Sequence, residues 1–230
     1  MYPIPQQNPY GAPRALSFES EGFLPRVYTW MAGGLGVTGL TALAVTLSPD
    51  LQRLIFTTPL MWVLLAAQFI MVLTFSPLAA RVSPAVAGGM FLLYSALTGA
   101  TMSSIFLIYT AASVATTFFV TAGAFGAMSV YGAVTKRSLA SWGSFLFMGL
   151  VGVVLASVVN IFLQSPAIQW VTTLAGVVVF TGLTAYDTQR IQALGASAGP
   201  NSAVQGALTL YLDFINLFLM LLRLFGNRRS

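Results

Sequence analysis

The chain contains no cysteine and no histidine. That excludes disulfides, thiolate nucleophiles, Ser-His and Cys-His catalysis, and the common zinc ligands. Charge is scarce as well: 7% of residues are charged and 57% are hydrophobic, against roughly a quarter charged in a soluble domain. Any site must be assembled from carboxylates, amides, hydroxyls and arginines, and no enzyme active site can be read among them. The net charge of +5 is carried by basic residues scattered singly between apolar runs, which is no nucleic-acid footprint.

What the chain has instead is apolar runs of about 20 residues, enough to cross a bilayer as helices. The expected class is an all-α integral membrane protein whose partner is the lipid bilayer. Seven spans are expected, at about 27–47, 59–76, 86–109, 111–134, 141–163, 168–191 and 204–225. SPD at 48–50, Pro77, Pro84, Pro166 and GASAGPNS at 195–202 separate the runs, because Pro and Gly do least harm between helices. The third and fourth spans are parted only by YTAAS at 109–113, so six is the alternative count. Residues 1–22, rich in Pro, Gln, Asn and Tyr, cannot bury a core and are expected as a disordered tail; residues 23–230 form the membrane domain.

With seven spans, Arg14, Arg26, Arg81, Lys136, Arg137 and Arg190 fall on one side, and Arg53, Arg223, Arg228 and Arg229 on the other. The positive-inside rule then puts the N-terminus in the cytoplasm and the C-terminus outside. Two patterns are set aside. Gly34-x-Gly36-x-x-Gly39 matches the dinucleotide fingerprint in form, but lies inside an apolar span where small residues serve helix packing. A retinal Schiff base needs an intramembrane lysine, and the one lysine, Lys136, lies in a loop. The amides Asn160 and Gln68 read either as interhelical hydrogen-bond partners or as pathway residues.

Of the five acidic residues, only Asp187 and Asp213 fall within spans. A carboxylate at mid-span costs about 2.5 to 3.5 kcal/mol on insertion scales, so it usually faces a cavity or a partner. Residue 200, in the turn between the last two spans, is midway between them, so at 1.5 Å rise per residue they reach similar depth. On the seventh span Gln205, Thr209, Asp213, Asn216 and Arg223 recur on one helical face. On the sixth, Thr173, Gly176, Thr184 and Asp187 do the same. Two carboxylates in a poorly hydrated site cannot both ionise easily and come to share a proton. Such a pair senses pH, and with its oxygens free it suits calcium as the metal. The alternative is a purely structural hydrogen bond between spans.

TAYDTQRI at 184–191, followed by LTLYLDFINLFLMLLRLFG at 208–226, closely resembles the paired terminal signature of the Bax inhibitor-1 family, and VNIFLQSP at 159–166 resembles its fifth span. The resemblance implies six helices surrounding a central seventh and a calcium leak regulated by pH through an aspartate pair, here Asp187 and Asp213. It also implies an arginine latch near the cytoplasmic end of span two, for which Arg81 is the nearest candidate. Some bacterial members carry a glutamate within span two, where this chain has the neutral Gln68. For a bacterial member the expected location is the inner membrane. The leading expectation is therefore a pH-sensitive calcium-leak protein with calcium ions and protons passing, Thr209, Asn216 and Gln68 lining the polar stripe, and no bound cofactor. The alternatives are a membrane interaction protein that regulates a protease or stress and death factors, and a proton-coupled transporter of a small solute.

Overall fold

The computed structural model describes residues 22–195 and 199–229. The expected N-terminal tail, apart from Gly22, and the middle of the turn at 195–202 lie outside the described residues. The described chain is helical: α1 Phe23–Leu47, α2 Pro49–Thr57, α3 Leu60–Ala79, α4 Pro84–Met102, α5 Ile105–Ile108, α6 Ala111–Val134, α7 Ala140–Leu163, α8 Pro166–Leu194 and α9 Ser202–Phe225. Seven spans result, since α4 and α5 together make one stretch, Pro84–Ile108, long and apolar enough to cross a membrane.

Local chemistry sets the helix starts. Pro49, Pro84 and Pro166 each open a helix behind a serine whose hydroxyl accepts a backbone N–H of the first turn: Ser48 from Leu51, Ser83 from Val86, Ser165 from Ile168. Proline there forfeits only an N–H that no helical carbonyl would have met, and serine satisfies another. The segment after span one, read from sequence as a turn, is thus the start of the short helix α2, with Asp50 in its first turn where a negative charge suits the helix dipole. Pro77 is a second departure. It lies inside α3, in the last turn, where it forfeits a single helical hydrogen bond. The Asn201 side-chain amide donates to the carbonyls of Ala79 and Val82, at 2.6 and 2.8 Å.

The weak break between the third and fourth spans is real and is held by the chain's other end. Thr110 N–H donates to the Asn227 carbonyl at 3.1 Å, and Arg229 N–H to the Ile108 carbonyl at 2.9 Å, making a bridge between Tyr109 and Arg228. The Asn227 N–H donates to the Ser113 hydroxyl at 2.9 Å.

The seventh span, α9, is the most extensively buried, packing against α8, α1, α6, α4 and α3. Close packing is what holds helices together in lipid, where apolar surfaces gain little by leaving the solvent. Outward-facing side chains such as Leu40, Trp62, Phe147 and Phe162 are large, apolar and exposed, as a lipid-facing surface requires. Within the formal dinucleotide pattern only Gly34 is a packing glycine: a Cβ there would sit 2.5 Å from the Phe91 ring, whereas Gly36 and Gly39 face open space.

Candidate functional site

Every residue of TAYDTQRI has a structural task that fixes where Asp187 stands. The Thr184 hydroxyl donates to the Phe180 carbonyl one turn back, at 2.8 Å, leaving no unsatisfied donor in the apolar interior. The Ala185 backbone presses against Gly132 of α6, and the Tyr186 hydroxyl end lies where a Cβ on Gly143 of α7 would be. Thr188 and Tyr28 of α1 join hydroxyls at 3.2 Å. Gln189 clamps the α6–α7 connection, accepting from Leu139 N–H at 2.7 Å and donating to the Arg137 carbonyl at 3.0 Å. Ile191 packs where Gly206 leaves room on α9.

So positioned, Asp187 meets Asp213. Both are buried, 8% and 5% exposed, and their carboxyl groups lie close enough to interact. A carboxylate has no hydrogen to give, so a hydrogen bond between them requires a proton on one of the two. Asp213 Oδ2 is shut away from solvent and has no hydrogen-bond partner among the described residues. Asp187 also feels the charge of Arg190, three residues on and on the same side of α8, the spacing at which helical side chains face each other.

Asp187 lines a cavity of about 400 Å³ between α8, α9 and the end of α3, and Asp213 is not among its lining residues. Its polar wall comprises Asp187, Arg190, Gln205, Thr209, Ser202 and Ser76. The Gln205 side chain spans to α3, donating to the Ser76 carbonyl at 3.3 Å. At the opposite end of the same two helices Gln169, Thr173, Arg223 and Arg228 line a smaller cavity of about 220 Å³. Between the two, the seam is filled by buried Phe180 and Met220; Met220 lies against Gly176, so that a Cβ on the glycine would be 2.9 Å from its sulfur. The two cavities lie toward opposite ends of the α8–α9 seam.

The remaining sequence candidates divide. Thr209 lines the cavity and Gln205 with it, while the Asn216 amide donates back to the Leu212 carbonyl at 2.8 Å. Gln68 is turned toward α4: it accepts from Thr98 at 3.2 Å and donates to Thr101 at 3.3 Å and to the Leu64 carbonyl at 3.2 Å. Asn160, read as interhelical or pathway amide, instead closes the α7–α8 turn by accepting from Ser165 N–H at 2.9 Å. Arg81 lies exposed in the turn after α3 and is not among the residues lining the cavity. Arg190 is, and the signal for it was present in the Asp187-to-Arg190 spacing. Among the described residues no group of three or more acidic side chains converges. The pair offers at most four carboxylate oxygens, short of the six to eight calcium takes, so a calcium ion here would need hydroxyls, carbonyls or water to complete its shell.

Comparison with known proteins bears on the whole chain. Residues 20–230 match the family described as Bax1-I, inhibitor of apoptosis-promoting Bax1. The inner membrane protein YbhL of Escherichia coli K12 is 50% identical over 215 residues, covering 90% of this chain and 92% of that protein. An uncharacterized protein of Borreliella burgdorferi is 43% identical over 215 residues, covering 90% and 93%, and the uncharacterized RP147 of Rickettsia prowazekii 42% over 213 residues, covering 90% of each.

Proposed function

The chain belongs to the Bax inhibitor-1 family, and from that premise we propose that it is a pH-sensitive leak pathway for calcium, gated by the proton shared between Asp187 and Asp213. The observation that carries the reading is the buried, interacting pair of Asp187 and Asp213, the first of which lines a polar cavity with Arg190. With one shared proton the pair bears a single negative charge, which Arg190 balances. A second proton removes that charge and frees the arginine; loss of the shared proton sets two carboxylates against each other. Either change alters the attraction between α8 and α9, whose seam closes the way to the far cavity. The latch implied by the family resemblance is assigned to Arg190 in this arrangement, with Arg81 as the cation a moved α3 would bring in.

Location follows the same premise. The distribution of Lys and Arg and the inner-membrane relative support a bacterial inner membrane protein with the N-terminus cytoplasmic, so that the cavity faces the cytoplasm and the Phe180–Met220 plug lies toward the outside. Calcium would enter from outside past Arg223 and Arg228, two cations that disfavour rapid cation entry and suit a slow leak. The test is calcium entry into liposomes containing the purified protein, measured across pH. Entry above that of empty liposomes, varying with pH, is expected. A folded protein that passes no calcium at any pH would leave the aspartates as a bond between spans and favour the interaction role.

A further inference from the structure

A second feature lies on the other side of α9. Helices α1 and α6 both pack on α9 but scarcely touch each other, which leaves a cleft between them open to the side of the bundle. Its upper part, about 430 Å³, is lined by Tyr28, Met31, Leu35, Phe125, Gly126 and Ser129, with Phe214 as floor. Its lower part, about 270 Å³, continues from the same Leu35 and Phe214 toward Val114, Phe118 and Phe218. Along α6 the upper part runs from Ala122 to Ala133, roughly 17 Å at 1.5 Å per residue. That is about half the ~30 Å hydrocarbon thickness, the reach of one acyl chain in one leaflet.

The upper walls are apolar apart from Tyr28 and Ser129, and Thr38 lines the lower part. Ser129 is 6% exposed and its hydroxyl has no hydrogen-bond partner among the described residues. A hydroxyl left unpaired in hydrocarbon is costly, and Tyr28, the other polar group on the wall, is already bonded to Thr188. Ser129 lies five residues before the end of α6, roughly 7 Å inside it, the depth at which a glycerophospholipid carries its ester carbonyls. Just past that end stand exposed Lys136 and Arg137, placed to meet a phosphate.

We propose that this cleft is a binding site for an anionic glycerophospholipid of the surrounding bilayer. One acyl chain lies along Leu35, Phe125 and Phe214, an ester carbonyl accepts from the Ser129 hydroxyl, and the headgroup phosphate lies near Lys136 and Arg137. The site is distinct from the carboxyl pair and does not depend on its proposed role. It reaches the pair's helix through Phe214, Ile215 and Phe218, of which Phe214 is the neighbour of Asp213.

The test counts dioleoyl phosphatidylglycerol retained by the purified full chain in mild detergent, by native mass spectrometry, with dioleoyl phosphatidylcholine as comparison. Gly126 lines the cleft and has open space where a Cβ would stand, so Gly126→Trp fills the cleft. Gly152→Trp, equally open and on α7, is the control. One tightly held phosphatidylglycerol is expected in wild type and in Gly152→Trp, with affinity at least tenfold lower in Gly126→Trp. Ser129→Ala should weaken binding several-fold, and Lys136→Gln with Arg137→Gln should erase the preference for phosphatidylglycerol. Should Gly126→Trp lose its cooperative melting, Ala122→Phe plugs the same cleft and carries the comparison. Equal lipid retention by plugged and control variants overturns the proposal, as does a wild-type dimer that the plug dissociates, which would assign the cleft to a second copy of the chain.

Discussion

The hydroxyls of Tyr211 on α9 and Thr38 on α1 lie 2.6 Å apart in the bundle interior, two residues before Asp213. Thr38 also lies within hydrogen-bond distance of two carbonyls, Gly34 at 2.9 Å and Ser95 at 3.0 Å. Either hydroxyl can be the donor between the two. The tyrosine ring is fully buried, edge-on to Phe91 and Tyr94 at 5.6 and 6.0 Å. This contact sets the rotation of α9 about its axis and with it the direction in which Asp213 points.

Removing only the hydroxyl, Tyr211→Phe, is expected to cost about 1 kcal/mol or less, because Thr38 keeps a carbonyl acceptor and hydrogen bonds in membranes are individually modest. Tyr211→Ala removes the ring and should cost about 3 to 5 kcal/mol, by analogy with large-to-small aromatic core changes. Thermal unfolding in detergent separates the two. A Tyr211→Phe protein as unstable as Tyr211→Ala would show that the hydroxyl, not the ring, holds the helix.

Asp187→Asn and Asp213→Asn should each flatten the pH dependence of calcium entry into liposomes, since an amide cannot take up or release the shared proton. In wild type, entry should rise as pH falls, because a second proton cancels the charge that Arg190 balances. Unaltered pH profiles in both folded variants would remove the pair from gating.

Arg190→Ala is expected to raise basal leak severalfold and to weaken its pH dependence, whereas Arg81→Ala, exposed beyond the cavity, should change either by less than twofold. Initial rates of calcium entry at fixed pH make the comparison. The reverse order would show that α3 moves its arginine to the pair in the closed state.

Much of this site was legible in the sequence, and the limits have physical causes. Asp187 and Asp213 could be matched in depth because helix rise is nearly constant and the hairpin is symmetric about residue 200. Which way Gln68 faces could not be read, since a span surrounded by lipid on one side and protein on the other carries little polar contrast; its partners are threonines on α4. Arg81 was favoured over Arg190 on family resemblance, although the i to i+3 spacing within α8 already set Arg190 beside the acid. Asn201 was hidden because its task, capping α3, is performed across a sequence separation of more than a hundred residues. The start of α2 was obscured by its proline, which marks a helix beginning as readily as a turn.

Gln68→Glu, which sequence alone would take as restoring a carboxylate to the pathway, should instead lower stability by about 1 to 3 kcal/mol and add no calcium selectivity. The amide donates to Thr101 and to the Leu64 carbonyl, and an ionised carboxylate can donate to neither. Melting temperature and the calcium-to-sodium flux ratio of the folded variant provide the check. A stable variant with higher calcium preference would place the pathway along α3 and α4.

The strand-like pairing of Tyr109 with Arg228 gives synthesis of this protein an order. The turn joining the third and fourth spans enters the membrane early, yet the backbone groups at Ile108 and Thr110 find their partners only in Asn227 and Arg229. Until those residues leave the ribosome, that junction waits with an open edge of hydrogen-bonding groups at the water interface. A chain halted before Asn227 would hold all seven spans and still leave that edge unpaired.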